Sequence, residues 1–137
     1  MNKKRVEELM KPALMALNAP ECGIQIKGKD GEFTGQIPNG FRGQISSFGA
    51  AVTMGSFKAA VAFFSKDKDK SSASVERDQL IRAMYRISSV GDGEWKDVKT
   101  IAKEIFVLDP SAERRWKEEF INASIALKLA MNAFELV

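Results

Sequence analysis

Residues 48–65 read FGAAVTMGSFKAAVAFFS. The stretch is long enough for about five helical turns, yet it carries one charge, Lys58, and two glycines, Gly49 and Gly55. Each glycine costs up to ~1 kcal/mol relative to alanine inside a helix. Placing residues 43–66 at 100° intervals gives two apolar stripes on this helix. One runs through Ile45, Phe48, Val52, Ala59 and Phe63, the other through Ala50, Met54, Phe57, Val61 and Phe64. Between them lies a seam of small residues, Gly49, Thr53, Ser56 and Ala60. A helix apolar on most sides is buried on most sides, so the wheel predicts one central helix whose small seam lets a neighbour approach closely. The remaining wedge holds Ser47, Ala51, Gly55, Lys58, Ala62 and Ser65, with Lys66 at its border. Either another helix covers that wedge, or it faces a partner, with Lys58 and Lys66 available to phosphates.

The rest of the chain also reads as helices. Val6, Leu9, Met10, Ala13, Leu14 and Leu17 fall on one helical face over residues 3–18, with Pro12 expected to kink that helix near Glu8 rather than end it. Residues 19–41 hold five glycines and two prolines, Pro20 and Pro38, which excludes a helix. A short hairpin around KDG, with Ile24 and Ile26 facing Phe33, is compatible with that segment. KDKDKSSAS then reads as a polar turn, and Ser74 as the N-cap of a helix over 75–90 stopped at Gly91. Asp92 can cap a shorter helix bearing Trp95, Val98, Ile101, Ala102 and Ile105. Asp109 followed by Pro110 is a strong helix start. Beyond it Trp116, Phe120, Ala123, Leu127, Ala130, Met131 and Phe134 form one apolar stripe, while Ile121, Ile125, Leu129 and Leu136 form a second, roughly opposite. No alternating strand pattern or internal repeat is present. The expectation is an all-α, single-domain bundle over residues 1–137, with about five helices and a long Gly/Pro-rich loop between the first two.

Composition narrows the chemistry. At 45% hydrophobic and 28% charged residues, the chain is ordinary for a globular domain. No charge-free apolar run reaches the ~18–20 residues a membrane span needs. MNKKRVEELM has a basic start but no apolar signal core, so a cytoplasmic chain with no membrane partner is expected. Cys22 is the single cysteine and histidine is absent, which removes an internal disulfide, cysteine-built zinc sites, histidine bases and the commonest transition-metal ligand. No metal, cofactor, small-molecule substrate or catalytic residue is expected. The net charge of +3 is unevenly spread, at +2 over residues 1–18, −1 over 19–41, +4 over 42–91 and −2 over 92–137. Such a skew suits a polyanionic partner, although a solvated surface gives the same numbers. Arg77, Arg82 and Arg86 can form a basic ridge on one helix or simply be solvated. Lys96, Lys99 and Lys103 interleave with Glu94, Asp97 and Glu104, which suggests local pairing. The phenylalanines of FKAAVAFF sit at helical spacing and read as core rather than as platforms for bases.

Three segments carry a resemblance. GFRGQISSFGAAVTMGSFKAAVAFFSK at 40–66, RDQLIRAMYRI at 77–87 and ASIALKLAMNAFEL at 123–136 look like the small all-helical subunit of the type III-B CRISPR RNA-targeting (Cmr) complex. Its features here are G-x-I-S-S-F-G at Gly43–Gly49, A-F-F at Ala62–Phe64 and A-x-x-A-L-K-L-A at Ala123–Ala130. The match spans roughly residues 40–90 and 120–137; nothing is carried over to 19–41 or 92–106. The resemblance implies a non-catalytic subunit whose copies stack beside the guide-holding subunits and line the groove where guide and target RNA pair, while a different subunit cuts. Other subunits of that complex, further copies of this chain and guide and target RNA would be its partners. Phosphates and RNA shape would then carry binding, since guide pairing supplies sequence specificity. The helical wheels, not the resemblance, place Arg42, Lys58, Lys66, Arg82 and Arg86 as RNA-phosphate contacts, with Lys3, Lys4 and Arg77 behind them. Two other readings stay open: a helical protein–protein adaptor with no nucleic-acid role, and a small enzyme built on carboxylates.

Overall fold

Asn2 opens the first helix by accepting a hydrogen bond from the Arg5 amide (3.1 Å), as an N-cap side chain does. Its own amide donates to the Asn122 side chain (3.0 Å), which ties the N-terminus to the last helix. The computed structural model describes residues 1–66 and 76–137. Among these, six α-helices run in the order α1 (Lys3–Leu17), α2 (Gly40–Met54), α3 (Phe57–Phe64), α4 (Asp78–Ile87), α5 (Val98–Phe106) and α6 (Pro110–Ala130). The only strands among the described residues are β1 (Gln36–Ile37) and β2 (Glu135–Leu136), which pair in parallel, Gln36 with Glu135 and Ile37 with Leu136. The fold is all-α. The polar turn expected over KDKDKSSAS and the Ser74 cap lie outside the described residues, apart from Lys66.

The helix expected over 43–66 is two helices, which accounts for six where about five were read. Gly55 ends α2, with its amide bonded to the Ala51 carbonyl (2.9 Å). A Cβ at Gly55 would lie 2.9 Å from that same oxygen, so the residue must be glycine. Ser56 then opens α3 by accepting from the Ala59 amide (3.2 Å). This break resets the phase of the wheel. α2 buries Phe41, Ile45, Phe48 and Val52, and α3 buries Phe57, Ala60, Val61 and Phe64. The two apparent stripes are one core-facing stripe crossed by a break, and Ala59, Phe63, Ala50 and Met54 are exposed. Of the small seam only Ala60 is buried; Thr53 and Ser56 are exposed, and a Cβ at Gly49 would meet nothing within 4 Å.

The central helix is instead α6, which packs against α1, α2 and α4. Asp109 caps it as the sequence predicts, accepting from the Ala112 amide (2.8 Å) ahead of Pro110. Its main stripe is buried from Trp116 to Met131, with Phe134 half-buried. Of the second stripe, Ile121, Ile125 and Leu136 pack at the core's margin and Leu129 is exposed. Pro12 lies within α1, which stays helical on both sides of it. α4 ends at Ile87, before Gly91, where the backbone of Ser88 turns extended; a Cβ at Gly91 would lie 2.5 Å from the buried Tyr85 ring. α5 starts at Val98 with Asp97 as its cap, not Asp92. Asp92 is instead held by Lys96 (2.6 Å), the Tyr85 hydroxyl (3.2 Å) and the Glu94 amide (3.0 Å).

The Gly/Pro segment 19–41 is tied down despite having no helix before residue 40. Lys27 and Phe33 pair antiparallel, and the Thr34 amide bonds the Ile26 carbonyl (3.1 Å). Gly31 and Gly35 supply the positive φ values, 80° and 77°, that this tight excursion needs. Buried Gln25 donates to the Leu17 carbonyl (3.1 Å) and accepts from the Gly35 amide (2.7 Å), so its burial leaves no unpaired amide atom. Cys22 is also buried beneath this segment, and burial pushes its thiol up to about 11, a setting that suppresses the reactive thiolate.

Candidate nucleic-acid interface

α3 and α5 hold each other by a reciprocal pair of lysines. Lys58, in the first turn of α3, donates to the Leu108 carbonyl just beyond α5 (2.9 Å). Lys99, in the first turn of α5, donates to the Ser65 carbonyl at the end of α3 (2.8 Å). Each ammonium thus meets carbonyls at the other helix's C-terminus, where the helix dipole favours positive charge. The two helices are antiparallel neighbours as a result.

On their outer side this pairing creates a groove of about 500 Å³, lined by Ala62, Phe63, Ser65, Lys66, Lys99, Ala102, Lys103 and Phe106. Its lining combines small residues, Ala62, Ser65 and Ala102, with two rings, Phe63 and Phe106. Phe63 is 54% exposed and Phe106 is 44% exposed. The Arg77 guanidinium lies over the Phe63 ring at 4.5 Å, a cation–π distance. Among the described residues three lysines line the groove and no carboxylate does. The side chains of Lys66 and Lys103 make no hydrogen bond or ion pair with another described residue, while the Lys66 amide bonds the Phe63 carbonyl (3.4 Å).

Of the residues placed by the wheels, Lys66 lies in this groove and Arg77 stacks on its edge; the others lie elsewhere. Lys58 is spent on the Leu108 carbonyl. Arg82 does not form a ridge with Arg77 and Arg86: it bonds the Lys96 carbonyl (2.7 Å), the Glu21 carbonyl (2.9 Å) and the Gln79 side chain (2.8 Å), with Trp95 5.4 Å from its guanidinium. Its charge joins the 19–41 segment to the α4–α5 connection. Arg86 is exposed and bonds the Gly93 carbonyl (2.9 Å). Arg42 sits at a shallow site with Ser46 and Lys128, where Lys128 bonds the Ser46 hydroxyl (2.6 Å) and the Arg42 Nε is buried with no partner among the described residues. Lys3 and Lys4 are exposed on α1. The five cations do not converge.

The sequence reading passed over Lys103, Phe63 and Phe106 as groove residues, and for identifiable reasons. Local pairing holds for Lys96, which bridges Asp92 (2.6 Å) and Glu104 (3.1 Å), and Lys99 donates to the Ser65 carbonyl. Phe63 looked like core because one continuous helix was assumed. Counted from the Ser56 cap, Phe57, Ala60, Val61 and Phe64 fill the i, i+3, i+4, i+7 face, and Phe63 falls about 100° off it. Phe106 is displaced in the same way from Val98, Ile101, Ala102 and Ile105. The signal was the Gly55–Ser56 pair, which reads as the end of one helix and the cap of the next.

A second polar feature binds the bundle itself. Arg5 on α1 makes a bidentate pair with Glu119 on α6 (Nε 2.8 Å, Nη2 2.9 Å). Glu119 also accepts from the Ser89 amide and hydroxyl (3.3 Å each). The Arg5 guanidinium, and after it the Ser89 amide, holds the Glu119 carboxyl below the usual carboxylate range. Both sides of a cleft of about 720 Å³ at this end carry mixed charge, with Lys4, Arg114 and Arg115 beside Glu8 and Glu118. Among the described residues no group of three or more His, Cys, Asp or Glu side chains is placed to hold a metal ion, and no helix is long and apolar enough to cross a membrane. Compared with protein-family models, curated proteins and solved structures, the chain matches none.

Proposed function

We propose that this chain is a non-catalytic small subunit of a type III-B CRISPR ribonucleoprotein, stacking with other subunits and copies of itself along the guide–target RNA groove in antiviral defence. It meets RNA through phosphates. Two things support the reading: the ordered resemblance of residues 40–90 and 120–137, and the α3–α5 groove. The groove carries it, because among the described residues its lining holds Lys66, Lys99 and Lys103 and no carboxylate. Around Arg5 and Lys96 cations are interleaved with acids, whereas the shallow Arg42–Lys128 site holds two cations and, among the described residues, no lining carboxylate. A local excess of one sign is the electrostatic footprint that attracts a polyanion. Arg86 and Arg42 are outlying phosphate contacts in this reading, and Lys58 and Arg82 hold the fold.

Charge reversal separates these roles. In the double variant K66E/K103E, RNA affinity is expected to fall at least about tenfold at low salt, and the slope of log affinity against log salt to fall by about two. Arg82→Gln is expected to lower the denaturation midpoint, since it removes hydrogen bonds from a charged donor worth about 1.5–3 kcal/mol, while the folded fraction binds RNA as before. Titration of labelled RNA at several salt concentrations checks both. Salt-independent affinity, or unchanged binding by K66E/K103E, contradicts the proposal. A second reading, a protein–protein adaptor with no RNA role, draws on exposed apolar side chains: Met54 is 87%, Val107 82% and Met15 63% exposed. Under it, K66E/K103E leaves RNA retention intact.

A further inference from the structure

We infer that the α3–α5 groove selects unpaired nucleotides, with the rings of Phe63 and Phe106 as stacking surfaces for bases. The inference rests on the RNA reading above and narrows it to stretches of guide or target RNA that are not paired with each other. Lysines alone would serve any polyanion, paired or not. The rings add a requirement, because a duplex buries its base faces and offers only its backbone and groove edges. The chain holds both rings outside its core, 54% and 44% exposed, although each belongs to a helix whose core face is already complete. Leaving such rings in water is unfavourable unless something covers them. Ala62 and Ala102 line the same groove as the two rings, so part of its lining is small and apolar. Arg77 lies over Phe63 at 4.5 Å, and guanidinium planes stack bases as aromatic rings do. Lys66 and Lys103 stand beside the rings to take the flanking phosphates. A cationic track with interleaved aromatic platforms is how proteins hold single strands without reading sequence. The same charge could meet an acidic helix of another protein, but such a helix offers no base faces to exposed rings.

The test uses the full chain, a labelled twelve-residue oligouridine and an RNA duplex of equal length, titrated at two salt concentrations. The single strand is expected to bind at least about tenfold more tightly than the duplex. Phe63→Ala and Phe106→Ala are each expected to weaken single-strand binding by about five- to hundredfold. Neither should change the salt slope or the duplex affinity. Both rings are surface groups, so a thermal melt is expected to be near wild type, and Phe63→Leu tests stacking at nearly constant apolar area. Equal affinity for strand and duplex, or full single-strand affinity in F63A/F106A, overturns the inference. If that result comes with salt-dependent binding that K66E/K103E abolishes, stacking alone fails and the phosphate reading stands. If K66E/K103E also binds normally, both fail. Loss of self-association in F63A/F106A, with RNA affinity unchanged, would make the groove a protein interface and overturn the inference too.

Discussion

Phe120→Ala is expected to destabilise the protein by about 3–5 kcal/mol, the usual cost of emptying a phenylalanine site in a packed core. Phe120 is fully buried on the central helix. Its ring meets the edge of Phe57 at 5.2 Å and stacks near Trp116 at 6.3 Å. Those rings come from α3 and from α6 itself, so the cavity would open between elements pinned by other contacts and could not close by a simple side-chain shift. Aromatic pairing adds about 0.5–1.5 kcal/mol beyond the area term. Chemical denaturation compared with Phe63→Ala makes the test internal, because Phe63 is exposed and its loss should cost little. A loss under about 1 kcal/mol at Phe120 would contradict this account of the core.

Glu119→Ala is the second large effect, at about 2–3 kcal/mol. It removes the bidentate acceptor of Arg5 and the partner of the Ser89 amide and hydroxyl, loosening α1, α6 and the end of α4 at one point. Arg5 keeps Glu8 at 3.1 Å, which limits the cost. The pH dependence follows from the direction of the shift. Glu119 holds its proton less tightly folded than unfolded, so its contribution is fully present above the unfolded value of about 4.3. It fades as pH falls from there through the lower folded value, because the unfolded chain takes up the proton first. Denaturation midpoints measured from pH 7 to pH 3 should therefore drop less steeply in Glu119→Gln than in the wild type. Parallel curves would show that the pair does not link the helices.

Much of the fold was legible because its signals are local. Asp109–Pro110 announced the central helix, and the stripe from Trp116 to Met131 gave its buried face. What misled was a single junction. Residues 43–66 contain no proline and no run of polar residues, so periodicity alone joins them, and a glycine inside a helix costs only about 1 kcal/mol. The break at Gly55 is decided by tertiary fit, with Ser56 capping a helix that must lie on α5. Joining the two helices doubles the apparent apolar surface and hides the outward-facing ring of Phe63. The fates of the cations were less legible still. Lys58 and Arg82 differ from Lys66 and Lys103 only in which distant carbonyls they meet, at Leu108, Lys96 and Glu21. Such contacts join residues far apart in sequence, and no helical wheel contains them.

Purification of the chain from its native source under low salt, with sequencing of any retained RNA and mass spectrometry of bound proteins, tests the proposed function most directly. The account predicts guide RNA together with the backbone and nuclease subunits of a type III-B effector, and release of RNA as salt is raised. Recovery of the chain free of RNA and of those subunits, with K66E/K103E behaving like the wild type, would contradict it.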